Sequence, residues 1–336
     1  MKRDRRFVLP FALMGLMVAS GGAQAAPITD NLVAWWEFES IGPGNTISDL
    51  SGNGHTLSMA VNPFMPGGSL PTLGAGVGGG FALQSAPTVP LPGWDPTTAG
   101  GIAYLPDPDP DNTSIPAPAD PNPERTDLSN APAGFAIQAW INLDTNNGHQ
   151  TILYNRDKGV GVSGARAGWE LTLADHDSGP GVSQELVFES NSTGIGVYRV
   201  SMAAPVGANA WHHIVLTSTE LYFDGMIVAS GYLTNPGFTP SPHDLFLGAA
   251  DYSIFGAIPL WNQPLLGRID KVALWDRTLS SQDVALLYNQ GNGYSLPQQQ
   301  PPGDGVPAPG SLALLALGLA LGCARRPRRT PRFMRT

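Results

Sequence analysis

The chain has 336 residues and is acidic, with 27 Asp and Glu against 18 Lys and Arg. A net charge of -9 repels phosphate backbones, which excludes nucleic acid as a partner. The single cysteine, Cys323, excludes a disulfide framework, and the 41 Gly and 32 Pro fit many turns between short strands.

At the N-terminus, Lys2, Arg3, Arg5 and Arg6 precede an apolar stretch from Phe7 to Ala19 and a small-residue site at Ala23-Gln24-Ala25. This pattern predicts an export signal over 1–25, removed by a signal peptidase near Ala26. Leu32-Val33-Ala34-Trp35-Trp36-Glu37-Phe38 then opens as an apolar strand, followed by Asp49-Leu50-Ser51-Gly52-Asn53-Gly54-His55. Residues 84–130 are dense in proline, which cannot donate to a sheet ladder, and are expected to form a long loop or insert. Within it Asp107, Asp109 and Asp111 alternate like a calcium loop. No Gly stands at the sixth position, and Pro118 occupies the twelfth, so a solvated acidic loop is expected.

Phe135, Ile137, Ala139, Ile141 and Leu143 alternate with Ala136, Gln138, Trp140 and Asn142, a period of two that predicts a strand. Trp169, Leu171 and Leu173 repeat the pattern, and 185–189 and 198–202 are further strand candidates. Trp211 to Thr217 runs into Leu221-Tyr222-Phe223-Asp224-Gly225-Met226-Ile227-Val228, where Asp-Gly predicts a two-residue hairpin turn. Strands over 245–248 and 269–275 complete the set. One short helix is expected, with Ser280 as cap, Asp283 as box partner and Val284, Leu286, Leu287 and Tyr288 following. Regular short strands without intervening helices predict an all-β, two-sheet antiparallel sandwich over 26–294.

The blocks Leu32–Phe38, Asp49–His55, Phe135–Ile141, Trp211–Val215, Tyr222–Gly225 and Gly267–Ser280 resemble, in that order, a LamG-like domain of the concanavalin A-like lectin/glucanase superfamily. Lys271 stands where the family usually has Glu. The resemblance implies a curved jelly roll, often with a structural calcium. It implies Asp270 as the late-strand calcium ligand, with carbonyls from Gly52, Asn53 and Gly54 and from near Glu37. On a regular strand Asp270 would point the same way as Val272 and Leu274, toward apolar surroundings, where a carboxylate needs a partner.

Residues 295–305 read as a Gln/Pro/Gly spacer. Beyond it, Val306-Pro307-Ala308-Pro309 precedes an apolar run from Ser311 to Leu321 and a cluster with Arg325, Arg326, Arg328 and Arg329. This order resembles the PEP-CTERM sorting signal, with Ala308 where Glu is usual. The resemblance implies removal of 306–336 by an exosortase after transient contact with the inner membrane of a Gram-negative bacterium. Without both ends the chain keeps 8 basic against 26 acidic residues.

No Gly-x-Ser-x-Gly, His-Glu-x-x-His or phosphate loop is present. Glu37 and Glu39, and Glu185 and Glu189, lack the grouping of a glycosidase motif. His212 and His213 fall on opposite faces of their strand and read as framework. Most tryptophans lie in strand motifs and read as core; Trp94 and Trp261, in irregular segments, are the candidate sugar platforms. The expected function is a non-catalytic, lectin-like surface or matrix protein binding glycan or exopolysaccharide. The alternatives are a polysaccharide hydrolase of the same superfamily and a ligand-free matrix protein.

Overall fold

The computed structural model describes residues 27–62, 67–85, 88–89, 98–106, 134–146, 148–156, 168–175, 184–192, 196–230, 244–251 and 261–297. The chain divides into Met1–Ser295 and Leu296–Thr336. The fold below is that of the first unit.

Its strands are, in chain order, β1 (Leu32–Trp36), β2 (Thr46–Ile47), β3 (Leu57–Val61), β4 (Thr72–Ala75) and β5 (Phe81–Gln84). Next come β6 (Thr88–Val89), β7 (Thr98–Ala99), β8 (Gly101–Leu105), β9 (Ala136–Leu143), β10 (Gln150–Arg156) and β11 (Gly168–Asp175). Then follow β12 (Gln184–Ser192), β13 (Gly196–Pro205), β14 (Trp211–Thr217), β15 (Glu220–Phe223) and β16 (Met226–Ser230). The last are β17 (Leu245–Leu247), β18 (Ala250–Asp251), β19 (Trp261–Asn262) and β20 (Gly267–Trp275).

These form the expected sandwich. The first sheet runs β16-β15-β14-β9-β20-β5-β4, with β1 also on β20; the second runs β13-β12-β11-β10-β17-β8-β3-β2. All pairs are antiparallel, and the inner faces bury Trp36, Phe38, Ile137, Ile141, Trp169, Phe188, Leu216 and Leu274 between them. The stretch read as a long loop or insert contributes β6, β7 and β8. Apolar Gly101-Ile102-Ala103-Tyr104-Leu105 has the alternation of a strand, hidden by its proline-rich flanks. A small third sheet, β18-β19-β7-β6, encloses a second cluster with Tyr154, Phe246 and Ile102 on the outer face of the second sheet.

The Asp-Gly turn forms as predicted: Asp224 (φ 49°) and Gly225 (φ 78°) both take the left-handed conformation that a two-residue hairpin demands. The helix, α1 (Ser281–Tyr288), starts with Ser280 Oγ accepting from the Asp283 amide while Asp283 accepts from the Ser280 amide. Val284 and Leu287 are buried, whereas Leu286 is exposed. Tyr288 stacks on Trp140 and His213, each with ring centroids 5.8 Å away, and so covers part of the outer face of the first sheet.

Candidate glycan-binding face

Period-two geometry assigns the outer face of the first sheet. Ile141, Ile214 and Ile269 point into the core, so Asn142, Trp211, His213, Arg268 and Asp270 point outward. Two cross-strand rows follow. The first is His213–Trp140–Asp270 across β14, β9 and β20. Trp140 and His213 stack at 4.7 Å, and the row is closed to solvent: His213 is 0 % exposed and Asp270 1 %. Burial pushes the His213 imidazole down to about 3, against a weaker upward pull from Asp224.

The second row is Trp211–Asn142–Arg268–Gln84–Thr72, running across β14, β9, β20, β5 and β4. It lies beside the stacked cluster. Asn142 is buried, Trp211, Arg268 and Gln84 are partly exposed, and Thr72 is open. The Arg268 guanidinium carbon sits 5.6 Å from the Trp211 ring centroid, within cation–π range. One terminal nitrogen donates to the Ala75 carbonyl at 3.1 Å, and Gln84 Nε2 donates to the Gly267 carbonyl at 3.0 Å. Asn142 Oδ1 and Arg268 Nε are buried without a partner among the described residues. Gly74 leaves room for the row, since a Cβ there would come within 3.0 Å of Arg268 Cδ. Indole, guanidinium and two amides in line are suited to a sugar ring with its hydroxyls.

At the hairpin end of the same sheet, His212 lies on the opposite face of β14 from His213, stacked on Phe223 at 4.9 Å. Asp224 accepts from His212 Nδ1 at 2.9 Å and from the His213 amide at 2.8 Å. Burial alone would raise the Asp224 carboxyl, but these bonds hold it below the usual carboxylate range.

The glycine loop expected to share a calcium with Asp270 lies apart from it. A register shift between Asp270 and Ala273, with Lys271 at φ 46°, reverses the alternation of β20. Val272 and Leu274 therefore face the core, and Asp270 faces the other way, correcting the side expected of it. Its two oxygens accept from the backbone amides of Val77 at 3.0 Å and Lys271 at 2.7 Å. Glu37 accepts from the Trp35 indole at 2.8 Å. The Gly52-Asn53-Gly54 loop sits at the far end of β1, where Asn53 Nδ2 donates to the carbonyls of Leu32 at 2.8 Å and Val33 at 2.9 Å. Leu32 pairs with Trp275, five residues beyond Asp270, and Val33 falls at the register shift that follows. Asp49 holds the loop by accepting from the amides of Trp35, Ser51 and His55. The loop thus serves as a surrogate strand for the free edge of β1. Among the described residues, no group of three or more His, Cys, Asp or Glu could hold a metal.

Of the two candidate platforms, Trp94 lies outside the described residues, and Trp261 is placed by its backbone on β19. Trp211 was missed as a site residue because its strand motif reads as core. The available signal was parity: it is odd-numbered on a strand whose core positions, 214 and 216, are even. The sorting residues Val306, Pro307, Pro309, Arg325 and Arg326 lie outside the described residues, among which no helix is long and apolar enough to cross a membrane.

Residues 119–285 match a laminin G family model described as the concanavalin A-like lectin/glucanases superfamily. That segment belongs to a concanavalin A-like lectin/glucanase domain. The matched segment of that domain begins after β8, yet β1 pairs with β20 and β8 with β17, so the N-terminal strands belong to the same sandwich. No curated protein matches the chain in sequence. Solved structures similar to it include domain 4 of AbnA, an extracellular arabinanase of Geobacillus stearothermophilus solved with arabinotriose. That likeness has 16 % identity, a TM-score of 0.47, and coverage of 78 % of this chain and 98 % of the other. The binding domain of Paraclostridial Mosquitocidal Protein 1 is similar at 17 % identity and a TM-score of 0.47, over 78 % and 52 %. A botulinum neurotoxin type C structure is similar at 14 % and 0.46, over 78 % and 51 %. The chain spans about half the length of these two toxin chains.

Proposed function

We propose that this is an exported, non-catalytic glycan-binding protein, delivered to the bacterial surface or its exopolysaccharide matrix by the signals at its two ends. The observation that carries the binding reading is the row Trp211–Asn142–Arg268–Gln84, which sets a partly exposed indole beside a partly exposed guanidinium and amide, with Arg268 Nε unbonded among the described residues. Glycan is the natural ligand class of a superfamily named for lectins and glucanases. A glycan array probed with the whole protein and with Trp211→Ala tests it. Binding lost in the variant supports the reading, and binding unchanged by the substitution removes this face as the site. Mass spectrometry of the extracellular protein tests the sorting: the C-terminus should fall before Arg325.

One observation favours a hydrolytic reading. Glu170 on β11 lies directly opposite Glu189 on β12, on the outer face of the second sheet. Carboxylates roughly 5 Å apart serve retaining glycosidases, and neighbouring strands can place a pair at that range. Release of reducing sugar from polysaccharides, abolished by Glu170→Gln, would establish it.

A further inference from the structure

Only three basic side chains fall among those described, and they differ in how they are neutralised. Arg277 pairs with Asp283 at 3.0 Å. Lys271 is 3 % exposed, lies beside Asp270 and donates to Ser295 Oγ at 2.6 Å. Arg268 has no carboxylate partner among the described residues. It is partly exposed, held in place by the Ala75 carbonyl and the Trp211 ring. A protein with 26 acidic residues in its processed form offers many carboxylates, and none of the described ones is set against this guanidinium.

We infer that Arg268 receives an acidic group on the ligand, and that the glycan bound on this face contains uronic acid. The inference rests on the glycan-binding reading of the same row and names the class of sugar. Guanidinium matches the planar, two-oxygen geometry of a carboxylate. Trp211 stands beside it to take the face of a sugar ring, with Gln84 Oε1, on a partly exposed side chain, as an acceptor for a hydroxyl proton. The rest of the charge pattern narrows the class further. A densely sulfated polymer would be repelled by a strongly negative protein that offers one open cation among its described residues, whereas widely spaced uronates on a neutral backbone meet that cation singly.

The test is titration calorimetry of the whole protein with a gellan-derived oligosaccharide, which carries spaced glucuronates, and with the same oligosaccharide after its carboxyl groups are reduced to alcohols. The acidic form should bind about 10-fold or more tightly than the reduced form, as expected for a hydrogen-bonded charge pair. Arg268→Gln should erase that difference and Arg268→Lys should restore part of it, with melting curves confirming that both variants fold. Raising the salt concentration should weaken only the acidic ligand. If both forms bind equally and Trp211→Ala weakens both, the glycan site stands and the uronate inference is overturned. If neither form binds, and neutral oligosaccharides on an array fail as well, both readings fall. A preference for the acidic form that survives Arg268→Gln also overturns the role given to Arg268.

Discussion

The Asp270 carboxylate accepts a hydrogen bond from the Val77 amide at 3.0 Å, across 193 residues of sequence. The same carboxylate accepts from the Lys271 amide inside the β20 bulge, so it ties the bulge to the turn between β4 and β5. Burial outweighs Lys271 and these amide bonds and pushes its carboxyl up to about 7. Across Trp140 in the same row, burial pushes His213 down to about 3. Two buried groups in one row are thus displaced in opposite senses.

Their effects on stability oppose each other. Asp270 titrates above the ordinary carboxylate range, so its contribution is full below about pH 4 and is lost as the pH rises through about 7. His213 titrates below the ordinary imidazole range, so its contribution is full above about pH 6.5 and is lost as the pH falls toward about 3. Between about pH 4 and 6.5 each slope approaches ~1.4 kcal/mol per unit, with opposite sign. Urea unfolding across that window should show His213→Phe losing stability as pH rises and Asp270→Asn losing it as pH falls, relative to the parent. Parallel profiles for the two variants would refute the assignment.

Asn53 offers a second test, because its amide is shared by two carbonyls on the edge of β1. Asn53→Ala returns the Leu32 carbonyl to water or leaves it unmet and leaves the Val33 carbonyl to Ser51 Oγ, at a cost of about 1 kcal/mol in this partly exposed setting. Hydrogen exchange should speed at the Trp35 and Leu50 amides, which the same loop protects. Unchanged exchange there would mean that Asp49 and Ser51 hold the loop without Asn53.

The sandwich was legible because alternation survives wherever the strands are regular. Phe135, Ile137, Ala139, Ile141 and Leu143 all reach the core as their spacing says. The face of Asp270 was not legible, because the bulge that reverses it centres on Lys271, and a lysine at positive φ carries no sequence mark of the kind a glycine would. The Trp211–Gln84 row was hidden for a different reason. Its members lie on four strands that are distant in sequence, and register alone aligns them. The family resemblance alone gave Gly52-Asn53-Gly54 a cation, and no spacing in the sequence marks that the Asn53 side chain donates to the edge of β1.

Added calcium tests the role of that loop directly. Both Asp270 oxygens are occupied by amides, and Gly52–Gly54 lies at the other end of β1. The melting temperature should therefore be the same in excess calcium and in chelator. A shift of several degrees that disappears in Asp270→Ala would show that a cation displaces the amide contacts.

Tyr288 tests the outer aromatic layer. Its ring lies nearly parallel to Trp140, at 7° between planes, and also stacks on His213, so it closes the row that shifts both titrating groups. Gly225 makes room for it: a Cβ there would come within 2.9 Å of Tyr288 Cδ1. Tyr288→Ala should destabilise the domain by about 3 kcal/mol through lost burial and an unfilled space. It should also admit water to His213 and bring its titration back toward the ordinary imidazole range, which NMR of the imidazole protons would follow. Gly225→Ala should give a smaller loss with the same sign, because the methyl group both strains the left-handed turn and pushes on the ring. If Tyr288→Ala leaves the His213 titration unchanged, burial by the sheet itself, and not the helix, sets that value.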